Sequence, residues 1–218
     1  MCGFIFEGGK SMIIKWHGHA CMQLSELGYS VVFDPFAPGY VPGLSDVNAQ
    51  ADKVLCSHGH DDHNYKDAVT IVSNSGNPFK ITAVPTWHDE AGGTKRGPNL
   101  VHVVDTDMGI RAIHFGDLGH IPDADALKAM ARPDVVMIPV GGFYTINADE
   151  AKEICDILKP KVIIPMHYRS KTFGYDVIAE VGDFTKLFPT SAVKFYDTDT
   201  IEITENTPAH VAVLKYLG

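Results

Sequence analysis

The apolar positions of this chain fall into short runs rich in β-branched residues, bounded by glycine, proline, asparagine or aspartate. Such runs are typical of buried β-strands. They predict strands at residues 12–16, 29–33, 54–56, 81–84, 100–104, 110–115, 135–138, 162–164, 193–196 and 201–203. Residues 105–109 have the composition of a hairpin turn, with Gly109 available for a positive φ.

Helical spacing is confined to a few segments. Asn147 can cap a helix with Glu150 three residues later, and apolar residues then recur at helical spacing up to Pro160. Residues 124–131 and 175–181 are two further helix predictions. Many strands with few helices between them indicate a layered α/β fold. The proline- and glycine-rich residues 35–45 are predicted to form a surface loop near the functional site.

Composition narrows the class of protein. With 218 residues, 45% of them hydrophobic, the chain can form one domain with a substantial core. We expect this domain at residues 12–218, preceded by an extension at residues 1–11. The formal net charge of −9 argues against non-specific nucleic-acid binding. The four cysteines lack paired spacing, and no apolar run has the length of a membrane helix. We therefore expect a cytoplasmic protein without a membrane partner, either a monomer or a homo-oligomer.

Histidine and aspartate residues directly follow several predicted strands. The segment SHGHDDH at residues 57–63 contains His58, His60, Asp62 and His63. Alternate side chains of an extended segment point the same way, so His58 and His60 can reach one ion. The turn that follows can direct the other two toward a neighbouring position. Further candidates at the ends of other strands are His88, Asp117 and His167. Imidazole and carboxylate groups are suitable ligands for zinc and similar divalent ions.

These residues resemble the metallo-β-lactamase superfamily, whose signature HxHxDH is present at residues 58–63. Further segments resemble its small, single-domain, lactonase-like branch, which includes ascorbate-6-phosphate lactonase: WHGHA (16–20), FDP (33–35), HFGDLGH (114–120), VGG (140–142) and PMHY (165–168). The resemblance runs from about residue 12 to about residue 168. It implies a four-layered αββα sandwich with the site at one edge of two sheets.

The resemblance also implies a ligand set for two divalent ions. One ion would be held by His58, His60 and His88, and the other by Asp62, His63 and His167, with Asp117 bridging them. His114 and His120 compete with His88 for its place. Zinc is the expected metal, and manganese or iron also suits a site of nitrogen and oxygen ligands.

Such a centre predicts hydrolysis by a hydroxide held between two ions. Asp62 would orient the hydroxide. His120 is a candidate proton donor to the leaving group, with a structural role as its alternative. His19 is either catalytic or a supporting, pocket-lining residue. Asp34 either accepts a hydrogen bond from a ligating histidine or caps the turn before the following proline.

Three functions remain in competition. The first is hydrolysis of a small ester or lactone, phosphorylated substrates included. Lys95 and Arg96, which lie in a glycine-rich loop soon after His88, would contact an anionic substrate, or would simply be solvated. The second is a phosphodiesterase or nuclease that uses the same ligands. The third is a metal-binding protein without activity.

Overall fold

The computed structural model of the protein describes residues 11–74 and 76–218. In this part of the chain, fourteen strands form sheets of five, seven and two strands. In chain order they are β1 (Ser11–Gly18), β2 (Cys21–Glu26), β3 (Tyr29–Phe33), β4 (Ala49–Ala51), β5 (Lys53–Leu55), β6 (Val69–Ile71), β7 (Phe79–Trp87), β8 (Pro98–Thr106), β9 (Arg111–His114), β10 (Val135–Pro139), β11 (Val162–Met166), β12 (Val193–Phe195), β13 (Thr200–Thr204) and β14 (His210–Val213). Of the predicted extension at residues 1–11, only Ser11 lies within the described residues, where it begins β1.

Each predicted strand is present, with bounds that differ by a few residues. The predicted hairpin turn connects β8 and β9, which pair antiparallel, and Gly109 has a φ of 83°. The sequence reasoning missed β2, β4, β6 and β14. In β2, the buried Met22 and Leu24 alternate with less buried polar residues, but the strand lacks the β-branched residues on which the prediction relied.

The helices are α1 (Ala124–Ala129), α2 (Ala148–Leu158) and α3 (Gly182–Thr185), together with short 3₁₀ turns at Lys66–Ala68 and Thr190–Ala192. The predicted capping box is confirmed: the Asn147 side chain accepts from the Glu150 N–H, and the Glu150 carboxylate accepts from the Asn147 N–H. The predicted helix at residues 175–181 is wrong. Its backbone forms hydrogen bonds with distant loops instead, such as Ala179 N to Gly141 O at 2.7 Å.

Strand direction brings the ends of six strands to one edge of the fold. The five-stranded sheet has the order β13-β1-β2-β3-β5, and the seven-stranded sheet has the order β12-β14-β11-β10-β9-β8-β7. In the first sheet, β1, β3 and β5 run in the same direction, because β2 is antiparallel to both of its neighbours and β5 is parallel to β3. In the second sheet, β7, β9 and β11 share a direction in the same way. Each sheet therefore presents the carboxyl ends of three of these strands at one edge, where β10, β12 and β14 of the second sheet also end.

The two large sheets pack face to face over one apolar core. Val31 and Phe33 of β3 point into this core, together with Trp16 of β1, and all three are buried. Val32, between them in sequence, points to the opposite face of the sheet, where it joins a second cluster. Each large side chain that is fully buried contributes roughly 1.5–3 kcal/mol.

These layers confirm the predicted α/β sandwich. The helices lie in the crossovers β9-α1-β10, β10-α2-β11 and β11-α3-β12 of the seven-stranded sheet. Over the outer face of the five-stranded sheet, the second cluster is formed by Phe36, Val41 and Val47 of the connecting loop with residues of β4 and β6. In the described part of the chain, no helix is long and apolar enough to cross a membrane.

Candidate metal centre

The chemistry-bearing residues follow the carboxyl ends of these six strands. His19 follows β1, Asp34 follows β3, and the segment 57–63 follows β5. From the second sheet, β7 is followed by His88, β9 by Asp117 and β11 by His167. Each sheet thus contributes residues from three strand ends to one site at their common edge.

Two of the three groups of possible ligand atoms found there among the described residues correspond to the predicted ligand sets, and the third consists of Asp34, His58 and His63. His58, His60 and His88 offer one group whose ligand atoms all lie within 4.8 Å of one another. A second group meets the same criterion and consists of His19, Asp62, His63 and His167. The structure thus brings together each set of three residues that the sequence analysis proposed, and it adds His19 to the second.

One oxygen of Asp117 lies between the two groups. Asp117 Oδ2 is 3.1 Å from His88 Nε2 and 4.0 Å from His58 Nε2 in the first group. It is also 3.1 Å from His63 Nε2 and 3.3 Å from His167 Nε2 in the second group. A carboxylate in this position can bridge two ions, as the sequence analysis expected.

The buried polar atoms of the site fit divalent ions. Among the described residues, His58 Nε2, His63 Nε2, His167 Nε2 and Asp117 Oδ1 are buried without a hydrogen-bond partner. An unpartnered buried polar group costs roughly 1–3 kcal/mol, so a cluster of them calls for an occupant. Ligands at about 2.0–2.2 Å from a zinc ion are separated from one another by distances of the size seen here. The donors are nitrogen and oxygen only, which suits zinc, manganese and iron.

Asp34 orients histidines of both groups. Its Oδ2 accepts from His63 Nδ1–H at 2.9 Å and from the Ser57 hydroxyl at 2.6 Å. Since the Ser57 hydroxyl donates to Asp34, it accepts from His58 Nδ1–H at 2.9 Å. Both imidazoles are thereby fixed as the tautomer whose Nε2 lone pair faces the centre. The prediction that Asp34 accepts a hydrogen bond from one of the candidate histidines is confirmed.

The charge states of Asp34, Asp117 and His58 match this arrangement. Burial opposes ionisation of Asp34, but the hydrogen bonds from His63 and Ser57 and the charges of His114 and His63 together outweigh it and lower the pKa of the carboxyl to about 2. Burial also opposes ionisation of Asp117, yet the neighbouring His167 and His63 hold its pKa well below the usual range. Burial lowers the pKa of His58 to about 3. Neutral imidazoles and ionised carboxylates are the forms that bind a metal. Burial opposes protonation of His63, but Asp117 and Asp34 raise its pKa well above the usual value, so a bound ion would displace a proton there.

Asn99, which the sequence analysis missed, holds Asp117 in position. Its side-chain oxygen accepts from the Asp117 N–H at 2.9 Å, and its amide donates to Phe115 O at 3.0 Å. A Cβ on Gly116 would lie 2.3 Å from Ser57 Cβ, so only glycine allows the ends of β9 and β5 to approach this closely. Gly116 also has a φ of 55°, which favours glycine. No local sequence pattern marks Asn99, because its partners come from another strand.

A cavity of about 420 Å³ opens onto the centre. The candidate ligands His60, Asp62, His88 and Asp117 form part of its lining, and the other lining residues are Tyr40, Arg96, Tyr144 and Tyr175. The Arg96 guanidinium lies 5.6 Å from the centre of the Tyr144 ring. The Tyr175 hydroxyl is 3.5 Å from Asp62 Oδ2, and burial together with Asp62 raises the pKa of this tyrosine.

Asp89 shapes the loop that carries Arg96. This buried carboxylate accepts from four backbone N–H groups, those of Ala91, Gly93, Lys95 and Arg96, at 2.8–3.0 Å. Desolvation opposes its ionisation, but the N–H groups of Arg96 and Lys95, followed by the others, lower the pKa of Asp89 to about 2. The glycine-rich loop is therefore folded around a charge, and Arg96 is held at the mouth of the cavity.

Comparison with known proteins places the chain in a family. Residues 13–167 match the β-lactamase superfamily domain. The chain is 35% identical to a protein of Thermotoga maritima, a proposed Zn-dependent hydrolase of the metallo-β-lactamase superfamily whose crystal structure is known; the TM-score is 0.73, with 93% of this chain and 98% of that chain covered. The chain belongs to the metallo-β-lactamase superfamily.

Other members of the superfamily extend this result. The chain is 32% identical to a UPF0173 metal-dependent hydrolase of Thermoplasma acidophilum, over 74% of this chain and 85% of the relative. Human tRNase Z, short form, has the same fold, with a TM-score of 0.55 at 11% identity over 73% of this chain and 93% of that chain. The protein is therefore a metal-dependent hydrolase of this superfamily, with a cluster of histidine and aspartate residues able to bind metal.

Some residues predicted for the site lie elsewhere. His120 Nδ1–H donates to Ile121 O at 2.9 Å, and its Nε2 accepts from the Trp87 N–H at 3.2 Å. With both nitrogens bonded to backbone, His120 holds the strand end before His88, and the predicted role as proton donor finds no support. Lys95 pairs with Glu90 and is absent from the described lining of the cavity, so of the two residues proposed to contact an anionic substrate only Arg96 lies beside the cavity.

His114 and Tyr168 also lie outside the centre. His114 is buried and donates through Nε2 to Ala20 O at 2.8 Å, so His88 rather than His114 joins the first group. Tyr168 is buried against Trp16, with ring centres 5.4 Å apart. Tyr40, Tyr144 and Tyr175 line the cavity instead, and the position of Tyr175 in the failed helix prediction concealed it.

Proposed function

We propose that this protein binds two divalent ions and hydrolyses a small anionic ester or lactone, phosphorylated sugar lactones included. The observation that carries the proposal is the position of Asp117 Oδ2 between two groups of ligands, directly beside a small cavity. Two ions held there would supply an acidified water as nucleophile and a Lewis acid for the developing oxyanion. Zinc is the expected metal.

The side chains around the cavity support a small, anionic substrate. Arg96 is the one cationic residue among the described lining residues, and its planar guanidinium suits a carboxylate or a phosphate. Tyr144 packs beside it and offers an apolar face. Tyr175, whose pKa is raised, remains a hydrogen-bond donor at neutral pH and can donate to a substrate oxygen near Asp62.

Phosphodiester hydrolysis is the alternative, because the same ligands can serve it. A nucleic-acid substrate requires a surface that neutralises several phosphates. The cavity offers Arg96 alone, and the chain carries a net charge of −9. These charges favour the small-molecule substrate.

The test is turnover by metal-free protein reloaded with Zn²⁺ or Mn²⁺, measured with a phosphorylated sugar lactone and with bis(p-nitrophenyl) phosphate. We expect opening of the lactone that depends on metal and is abolished in His58→Ala. Arg96→Gln should raise KM by about tenfold or more, because a charge-assisted hydrogen bond contributes roughly 1.5–3 kcal/mol.

Lys95→Gln is the matched control, since Lys95 pairs with Glu90 away from the cavity, and its KM should not change. Turnover in the metal-free protein would exclude the mechanism. Equal KM values for the Arg96→Gln variant and the wild type would exclude the anionic contact. Preference for the phosphodiester would establish the alternative.

A further inference from the structure

His19 is the member of the second group that the sequence analysis did not include among the metal ligands, and its side chain lies at the centre. The residue is 1% exposed, and within the described residues neither of its ring nitrogens has a hydrogen-bond partner. Its Nε2 lies 3.4 Å from Asp62 Oδ2, and its ring is centred 4.0 Å from that of His167. A core histidine normally donates one hydrogen bond, as His114 does here. The Nε2 of His19 lies instead among the ligand atoms of the second group, where a bound ion would satisfy it.

The backbone holds His19 in a strained conformation that serves this position. Its φ is 51°, in the left-handed region, which costs an ordinary residue roughly 1–2 kcal/mol. Its carbonyl accepts from the Trp16 indole at 3.0 Å and from the His167 N–H at 3.2 Å. The conformation is thus fixed by two contacts, one of them with the residue after β11. Strain that is stabilised in this way is typical of functional sites.

If His19 binds metal, the two ligand groups differ in the number and the burial of their ligands. The first contains three histidines, and its members His60 and His88 line the cavity. The second contains four residues, three of them histidines that are fully or almost fully buried. With Asp117 shared, the first ion would have four protein ligands and the second five. The second position would therefore leave less room for the water and substrate that a catalytic position must admit.

We infer that His19 is a further protein ligand of the second ion, together with Asp62, His63 and His167. This position is the retained one, and the position of His58, His60 and His88 is the exchangeable one where substrate binds. The inference rests on the proposed binuclear site, and it assigns a separate task to each position.

The test uses His19→Gly, because glycine accepts a φ of 51° without strain and leaves a cavity the size of an imidazole. Metal content is measured by mass spectrometry after equilibration with chelators of graded strength. Removing a residue that only supports a ligand typically costs 10–100-fold in metal affinity. Removing the ligand itself should therefore weaken the tighter of the two binding steps by at least that factor. The weaker step should not change.

A second readout is the visible spectrum of the Co²⁺-loaded protein, which depends on the number of ligands. It should change in His19→Gly, and added imidazole should restore it, which a purely structural residue would not allow. The matched control is His17→Ala, whose Nε2 lies 3.0 Å from Gln23 Oε1 rather than in the centre. This control should match the wild type in both measurements.

The inference is overturned if His19→Gly retains the tighter step, or if imidazole leaves its Co²⁺ spectrum unchanged. Failure of the proposed function would be seen in the wild type itself, which would then bind one ion or show no turnover. A wild type with two ions and turnover, beside a His19→Gly variant that has lost the tighter step, supports both proposals.

Discussion

Replacement of Asp34 by asparagine should disturb both metal positions through one side chain. In the native site, Asp34 Oδ2 accepts from His63 Nδ1–H and from the Ser57 hydroxyl, which in turn accepts from His58 Nδ1–H. An amide nitrogen in place of Oδ2 can only donate. Ser57 would then donate to His58 Nδ1, and His63 Nδ1 would become an acceptor. Both rings would turn a proton instead of a lone pair toward the centre.

The reversed orientation of the amide would also lose a hydrogen bond. It would place the amide nitrogen against the Ser57 N–H, which now lies 2.6 Å from Asp34 Oδ1. Loss of a group that supports a metal ligand typically costs 10–100-fold in affinity, about 1.4–2.7 kcal/mol. Because Asp34 supports a histidine in each group, we expect a loss of this size in both binding steps. Unfolding of the metal-free protein should also become easier by about 3 kcal/mol, since a charge-assisted hydrogen bond contributes roughly 1.5–3 kcal/mol.

The assay combines competition with a chromophoric chelator and ¹⁵N NMR of the histidine rings, which distinguishes the two neutral tautomers. Asp52→Asn is the matched control, because Asp52 also accepts from two backbone N–H groups, those of Ser30 and Asn74, at 2.8 and 2.7 Å, but it touches no histidine of the centre. Unchanged affinity in Asp34→Asn, with the native tautomers retained, would refute the reasoning.

Two further predictions concern the loop and the strand ends. Gly119→Ala should lower the free energy of unfolding by about 2 kcal/mol, because the new Cβ would lie 2.4 Å from the backbone of His88 and Asp89. Gly182→Ala is the control: no atom lies within 4 Å of its new Cβ, so the free energy of unfolding should change little. Equal chemical denaturation midpoints for the two variants would contradict this prediction. The pKa of Asp89 in the folded protein is about 2, below its unfolded value of roughly 3.9, so its stabilisation is complete above the unfolded value and is lost as the pH falls toward 2. Amide exchange in the loop should rise over that range in the wild type, and Asp89→Asn should show raised exchange already at neutral pH; a pH-independent loop would be evidence against the carboxylate as its organiser.

The strand pattern was largely predictable, and the departures from it have identifiable causes. Alternation and β-branched runs located the strands that bury a clear apolar face, while β2 relies on Met22 and Leu24 and β14 begins with a polar histidine. Residues 175–181 have apolar residues at helical spacing, yet their backbone bonds to loops of other elements. Local spacing cannot reveal such bonds, because their partners are distant in the chain.

The sequence by itself determined the chemistry of the site: which residues carry imidazole and carboxylate groups, and that each follows a strand. That much is local information, since residue type and position after an apolar run do not depend on the rest of the fold. Only the tertiary structure decided that His19 joins the second group, and that Arg96 and Tyr175 face the cavity while Lys95 does not. Strand pairing and packing of the two sheets set these distances, because they fix the separation of residues far apart in the chain to within a few ångströms.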